Sequence, residues 1–257
     1  MNPSAIGKVA LVTGSGKQRV GNVIARMLAE RGYDIALHYN RSTEEAEQTA
    51  GELKGRGVDA RAFRANVADE AEVDRLLVEV TAHFGRLDVL VTAAAVWEAR
   101  RLEEITAEDV RRQFEINALG TFLCCRRGGL IMAGQPEGGT IVTIGDWATV
   151  RPYLNYAAYF PSKGAIPTIT RNLAVELAQR NPAVRVNCIL PGPVMLPENL
   201  SAEERAEAVS GTLLGREGRA ENVAHAVLFL VENDYVTGVC IPVDGGRTIA
   251  GCESERP

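Results

Sequence analysis

Short apolar runs rich in β-branched residues alternate with amphipathic stretches from one end of the chain to the other, and no other feature constrains the fold as tightly. The strand-like runs are Val9–Val12, Ile35–Tyr39, Ala60–Ala65, Val89–Thr92, Ile141–Ile144, Val186–Leu190 and Val239–Val243. Helical patterns fill the gaps over Val20–Arg31, Glu44–Gly55, Glu70–Phe84, Asp109–Arg126, Tyr156–Gln179 and Glu221–Val231. Strands too uniformly apolar to have a wet face, each followed by a helix, are parallel strands covered on both sides. The expected fold class is therefore α/β, a doubly wound parallel sheet of about seven strands. At 257 residues the chain is near the upper edge of what one core organises, so residues 1–257 read as a single domain. The Pro-rich stretch from Pro191 to Pro197, followed by charged Ser201–Ser210, reads as a loop and helix inserted over 191–215 before the last strand-helix unit.

Charge excludes some partners. The chain carries 28 basic and 33 acidic residues, interspersed without a basic stripe, which argues against nucleic acid. The apolar runs fall far short of the ~18 residues of a membrane helix, and no leader pattern of an apolar segment with a small-residue cleavage site is visible. Five cysteines (Cys124, Cys125, Cys188, Cys240, Cys252) lack metal-like spacing and suit a reducing cytoplasm. The vicinal Cys124-Cys125 reads as core filling rather than as a redox pair. His83 and His225 stand in helices away from any acidic or cysteine cluster, so no metal site is expected.

The first strand runs into Thr13-Gly-Ser-Gly-Lys-Gln-Arg-Val-Gly21, and a helix follows at once. Glycines at such a turn let the backbone approach a pyrophosphate, and the helix N-terminus offers free N–H groups and partial positive charge. The second strand ends in Leu37-His-Tyr-Asn-Arg-Ser42 and lacks the carboxylate that would accept from ribose hydroxyls. Arg41 can pair with a 2′-phosphate, Ser42 and Asn40 can donate to it, and Lys17 or Arg19 can reach the same anion. NADPH/NADP+ is the expected cofactor; the alternative is that Arg41 merely ends the strand in solvent.

Tyr159 and Lys163 are four apart and share a helix face. A free phenol titrates near ~10, so work at neutral pH needs a neighbouring cation, which Lys163 can supply. Five of the scarce aromatics, Trp147, Tyr153, Tyr156, Tyr159 and Phe160, crowd around this pair, which fits a flat substrate ring or a stacked core. Pro161 and Pro167 are expected to kink the same helix.

With these pieces in place the chain resembles the short-chain dehydrogenase/reductase family over nearly its whole length. The matches, in order, are Thr13–Gly21, Asn66-Val-Ala-Asp69, Asp88-Val-Leu-Val91, Asn117-Ala-Leu-Gly-Thr-Phe122, Tyr159 with Lys163, Pro191-Gly-Pro-Val194, and Tyr235–Gly238 with Val243-Asp-Gly-Gly246. The resemblance implies a Rossmann-type domain in which Tyr159 handles the proton, Lys163 lowers its pKa and holds the nicotinamide ribose, and Asn117 anchors a relay water. It extends the cofactor contacts to Gly14, Val20, His38, Tyr39, Asn66, Val67, Ala93, Ala94, Pro191, Gly192 and Val194. Homotetramers built on the helices after the fourth and fifth strands are also implied. His38, taken from its strand alone, reads as packed or surface-paired rather than catalytic.

Three positions depart from the family pattern: Asp146 stands where a Ser is usual, Thr92-Ala-Ala-Ala95 replaces Asn-Asn-Ala-Gly, and the glycine turn is one residue longer. A carboxyl can hold or deliver a proton and pair with amidine-like N–H groups, which suits a nitrogen heterocycle. The chain is in this respect similar to the pteridine reductase subgroup, which also has the His-Tyr-x-Arg-Ser segment, an Arg in the glycine turn and an aromatic where Trp97 stands. That likeness makes Trp97, Ala95, Asp146 and Tyr159 the expected substrate contacts, Ala95 lacking the usual hydroxyl. The expected activity is NADPH-dependent reduction of a C=N or C=O carbon, of a pterin-like ring or alternatively of a 3-oxoacyl or other carbonyl substrate. A non-catalytic NADP(H)-binding protein is a third reading.

Overall fold

A computed structural model describes residues 5–196 and 200–250, so Cys252 and Pro197 lie outside the described residues. All seven strands are parallel and run in the order β3-β2-β1-β4-β5-β6-β7. They are β1 Val9–Thr13, β2 Asp34–Tyr39, β3 Ala60–Arg64, β4 Val89–Thr92, β5 Gly139–Ile144, β6 Val184–Pro191 and β7 Cys240–Val243. The helices are α1 Val20–Glu30, α2 Thr43–Lys54, α3 Glu70–Phe84, α4 Ala107–Gln113, α5 Gly120–Ala133, α6 Tyr159–Ala178, α7 Ala202–Ser210 and α8 Ala220–Glu232. The strand order reverses between β1 and β4, so their carboxyl ends open a crevice, the usual ligand position in such sheets.

Side chains alternate across the sheet into two cores. Val12, Ile35, Val91, Val142 and Ile189 face α1 and α8. Leu11, Ala36, Leu90, Ile141 and Val186 face α3, α5 and α6. Cys124 and Cys125 of α5 fill the second core, and burial alone lifts the Cys124 thiol to about 12.

The expected helix over Asp109–Arg126 is not continuous. Phe114–Leu119 forms a π-helical turn between α4 and α5, a one-residue insertion that leaves the apolar periodicity nearly intact. Asn117 sits inside that turn. Pro161 also differs from expectation: it occupies the first turn of α6, where its missing N–H would have had no helical partner. Only Pro167 is interior, and there the carbonyl of Lys163 loses its donor four residues on.

A buried arginine joins β6 to the end of α8. Arg185 Nη1 donates to the carbonyls of Leu230 at 2.7 Å and Val236 at 3.0 Å, and Nη2 to Thr140 Oγ1 at 2.7 Å and Val231 O at 3.0 Å. Arg185→Met leaves these acceptors buried and unpaired, and a loss of about 3 kcal/mol is expected, roughly 6–12 °C in Tm. Thermal melts of the variant check this; an unchanged Tm would show that water replaces the guanidinium.

Candidate active site

The glycine turn closes on itself before any ligand arrives. Gly14 has φ +67°, and a Cβ there would stand 2.7 Å from Ala94 Cα, so only glycine lets β1 and β4 approach this closely. A Cβ on Gly16 would meet Ser42 Oγ at 2.5 Å, which places the Ser42 hydroxyl against the turn. Ser42 is the N-cap of α2, yet its side chain makes no capping bond. Lys17, Arg19, Asn40 and Arg41 are exposed around the same rim, and the three cations make no ion pair among the described residues. A glycine cradle beside an uncommitted hydroxyl, a helix N-terminus and unpaired cations fits a phosphorylated ribose.

His38 serves as an internal brace. Its ring is 2% exposed; Nδ1 accepts from Gly14 N at 3.0 Å and Nε2 donates to Ala65 O at 3.0 Å. Burial lowers its pKa to about 4, so the neutral ring holds the turn against the end of β3. Tyr39 is buried with its Cβ beside Gly16. Asn66 Oδ1 accepts from Ala68 N at 3.2 Å and so shapes the loop after β3, while Val67 is buried next to Gly120. Ala94 N donates to Thr13 Oγ1 at 3.1 Å, Ala93 lies near Gly21, and Val20 opens α1. Pro191, Gly192 and Val194 leave β6 beside Asp244 and Gly218.

The chemistry-bearing side chains meet at the carboxyl ends of β4, β5 and the start of α6. Tyr159 Oη donates to Asp146 Oδ2 at 2.8 Å, and Asp146 Oδ1 accepts from Ala148 N at 2.8 Å. Lys163 Nζ donates to Ile144 O at 2.9 Å. Burial dominates all three titrations: it raises Asp146, raises Tyr159 well above its ordinary value with help from the Asp146 charge, and lowers Lys163. Burial favours the neutral forms of both Tyr159 and Asp146, and the phenol's hydrogen bond is directed at the carboxyl oxygen. Such a pair can donate a proton and resupply it.

Asn117 is engaged entirely by protein. Its Oδ1 accepts from Val96 N at 2.8 Å, and Nδ2 donates to Val96 O at 3.0 Å, Gln113 Oε1 at 3.1 Å and Ser162 Oγ at 3.0 Å. It thereby ties the loop after β4 to α6. Gln113 and Ser162 were not among the sequence candidates, since buried amides and hydroxyls one helical turn from a motif carry no pattern of their own. Trp97 stacks on Tyr156, with centroids 4.9 Å apart and planes at 12°, so one of its faces is taken. Ala95 is exposed beside it. Tyr153 and Phe160 complete the wall, and Arg247 sits 5.1 Å over Trp147, with Nη1 donating to Ala208 O of α7 at 2.8 Å.

A parallel sheet with a phosphate-type cradle at its reversal point and a Tyr/Lys pair one strand away defines a nicotinamide-dependent oxidoreductase. Residues 15–248 match the family described as enoyl-(acyl carrier protein) reductase. The 3-oxoacyl-[acyl-carrier-protein] reductase of Rattus norvegicus is 36% identical over 241 residues, covering 93% of this chain and 97% of that protein. Versicolorin reductase 1 of Aspergillus parasiticus is 34% identical, covering 93% and 96%. A short chain dehydrogenase from Burkholderia cenocepacia, solved in complex with NADP, aligns with a TM-score of 0.87 and 31% identity, covering 95% of this chain and 98% of that one. The chain belongs to the short-chain dehydrogenase/reductase family.

Arg41→Ala is expected to raise the KM for NADPH about ten- to a hundredfold while leaving that for NADH nearly unchanged, the loss of one charge-assisted contact. Steady-state kinetics with both cofactors check it, and equal shifts for the two would remove the 2′-phosphate from the assignment.

Proposed function

We propose that the protein is an NADPH-dependent reductase of carbonyl substrates of the 3-oxoacyl type. The observation that carries this reading is the buried Tyr159–Lys163 pair at the carboxyl end of β5, in a chain whose similar relatives include 3-oxoacyl-[acyl-carrier-protein] reductases. Bound NADPH supplies the hydride. Gly14, Lys17, Arg19, Asn40, Arg41 and Ser42 hold its phosphates. Tyr159 gives its proton to the developing alkoxide, and Asp146 accepts the hydrogen bond that aims the phenol. Lys163 supplies positive charge beneath the pair, and Asn117 positions α6 through Ser162. Arg247 holds α7 through its bond to Ala208 O. We place the protein in the cytoplasm as a homotetramer, consistent with Leu119, Leu130 and Val175 standing exposed along α6 and the π turn leading through α5.

Asp146 itself supports a second reading, reduction of a pterin-like heterocycle, because a carboxyl can pair with ring N–H groups where a hydroxyl cannot. Against it, Tyr156 occupies one face of Trp97 and Ala95 offers no hydroxyl. Asp146→Ser separates the two. For the carbonyl reductase the variant keeps or improves kcat with an acetoacetyl thioester, since a Ser hydroxyl can accept a hydrogen bond as the carboxylate does. For a pterin reductase the same change removes most turnover with dihydropterins, and that outcome would reverse the preference.

A further inference from the structure

Cys188 in β6 and Cys240 at the start of β7 are register partners, paired directly across two parallel strands. Partners in such a ladder project from the same face with Cα atoms about 4.8 Å apart, inside the span of roughly 4.4–6.8 Å that a disulfide bridges. Cys188 Sγ donates to Ile189 O at 3.5 Å, so its proton is held within β6 while its sulfur stands across from Cys240. Their face is the one toward α6: Val186 belongs to that core, whereas Ile189 and Ile241 point to the other.

The two sulfurs differ in access. Cys188 is buried, and Cys240 is half-exposed on the edge strand. The neighbouring Cys188 holds the Cys240 thiol below its ordinary range, and the Arg171 charge of α6 acts in the same direction. Cys124 and Cys125 are, by contrast, sealed in the core, where burial raises both. Cys188 also reaches the catalytic end of the fold. A Cβ on Gly145 would lie 3.2 Å from its sulfur, and the carbonyl of Ile144 just before that glycine accepts from Lys163 Nζ at 2.9 Å. Between Lys163 and Arg171, Pro167 has already removed one backbone bond from the helix that lies over the pair.

We propose that Cys188 and Cys240 are a peroxide-oxidisable dithiol, a modification site whose disulfide links edge strand β7 to β6 beneath α6 and thereby acts on Lys163. In the first step the Cys240 thiolate attacks one peroxide oxygen; the S–O bond forms, the O–O bond breaks, and the leaving hydroxide takes a proton to become water. In the second step the Cys188 sulfur attacks the sulfenic sulfur; the S–S bond forms, the S–O bond breaks, and hydroxide leaves with the Cys188 proton as a second water. Two thiols are oxidised by two electrons in all, and one peroxide is reduced to two waters. A dithiol reductant reverses the bond. Closing it removes the thiol from under Gly145 and Lys163 and draws in the strand ends that lead to Pro191 and Asp244.

The test treats the whole protein with hydrogen peroxide and maps it by non-reducing peptide mass spectrometry. The expected result is a Cys188–Cys240 cross-linked peptide pair, lighter by two hydrogens and split by dithiothreitol. This readout is independent of the substrate. Turnover, which does rest on the carbonyl reading, is followed with an acetoacetyl thioester: peroxide should cause a severalfold, dithiothreitol-reversible fall in the wild-type rate and none in Cys240→Ser. Overoxidised Cys240 beside a free Cys188 thiol overturns the proposal. A cross-link that leaves turnover untouched, or Cys240→Ser losing activity as the wild type does, overturns the coupling to Lys163. If Cys188→Ser fails to fold, the cross-link in the wild type still decides.

Discussion

Tyr159→Phe lowers kcat for NADPH oxidation by about a thousandfold and leaves the affinity for NADPH nearly unchanged. The magnitude follows from the usual worth of a positioned proton donor, roughly 10²–10⁴ in rate. The substitution isolates the hydroxyl, because the ring stays packed between Tyr156, at 6.1 Å between centroids, and Phe160, at 5.4 Å. Its second effect falls on Asp146, which loses the 2.8 Å hydrogen bond that favours its anion and keeps only the Ala148 N–H and the Lys163 charge against burial. The carboxyl of the variant therefore titrates higher still. Stopped-flow turnover, with NADPH fluorescence for binding, measures both quantities; a rate within about tenfold of wild type would remove Tyr159 from proton transfer.

The second large effect is on stability in acid. His38 titrates near 6.5 when unfolded and at about 4 in the fold, because burial disfavours its cation. A depressed folded pKa means that the unfolded chain binds the extra proton first. The contribution is therefore complete above pH 6.5 and is lost progressively as pH falls toward 4. The difference corresponds to about 3 kcal/mol. Protonation would set an N–H on Nδ1 against the N–H of Gly14, two donors face to face. His38→Asn keeps an acceptor near Gly14 without a titrating ring, so its melting temperature should fall less steeply than that of the wild type between pH 6.5 and 4. Parallel curves for the two proteins would show that His38 is not the source of the acid lability.

Most of the sheet was legible in the chain because continuous apolar strands admit few other arrangements. The runs Val89–Thr92 and Glu70–Phe84 coincide with β4 and α3, and Asp69, which caps α3 by accepting from Ala71 N and Glu72 N, marks the helix start. What was not legible depended on contacts between distant residues. The π turn around Asn117 inserts a single residue without disturbing the apolar face, so periodicity alone joins α4 to α5. His38 belonged to a segment that reads as a cofactor rim, but strand alternation turned its ring inward while Arg41 and Asn40 stayed outside. Trp97 was assigned to a substrate ring, yet Tyr156, 59 positions later in the chain, stacks on it. Tyr159 and Lys163 stood out together because a helix brings residues four apart onto one face; the depth of their burial, which sets the direction of every titration at the site, is a property of the assembled layers.

The reversal of strand order between β1 and β4 divides responsibilities along the chain. Cofactor-rim residues from Gly14 to Asn66 come from β1, β2, β3 and the loops that follow them, whereas Asn117, Asp146, Tyr159 and Lys163 all follow β4. At the site the two blocks join along a seam, the Thr13↔Thr92 register and the bond from Ala94 N to Thr13 Oγ1. Nucleotide preference and substrate choice can therefore drift separately under selection, and chimaeras exchanging the first block between relatives should inherit one trait without the other as long as that seam is preserved.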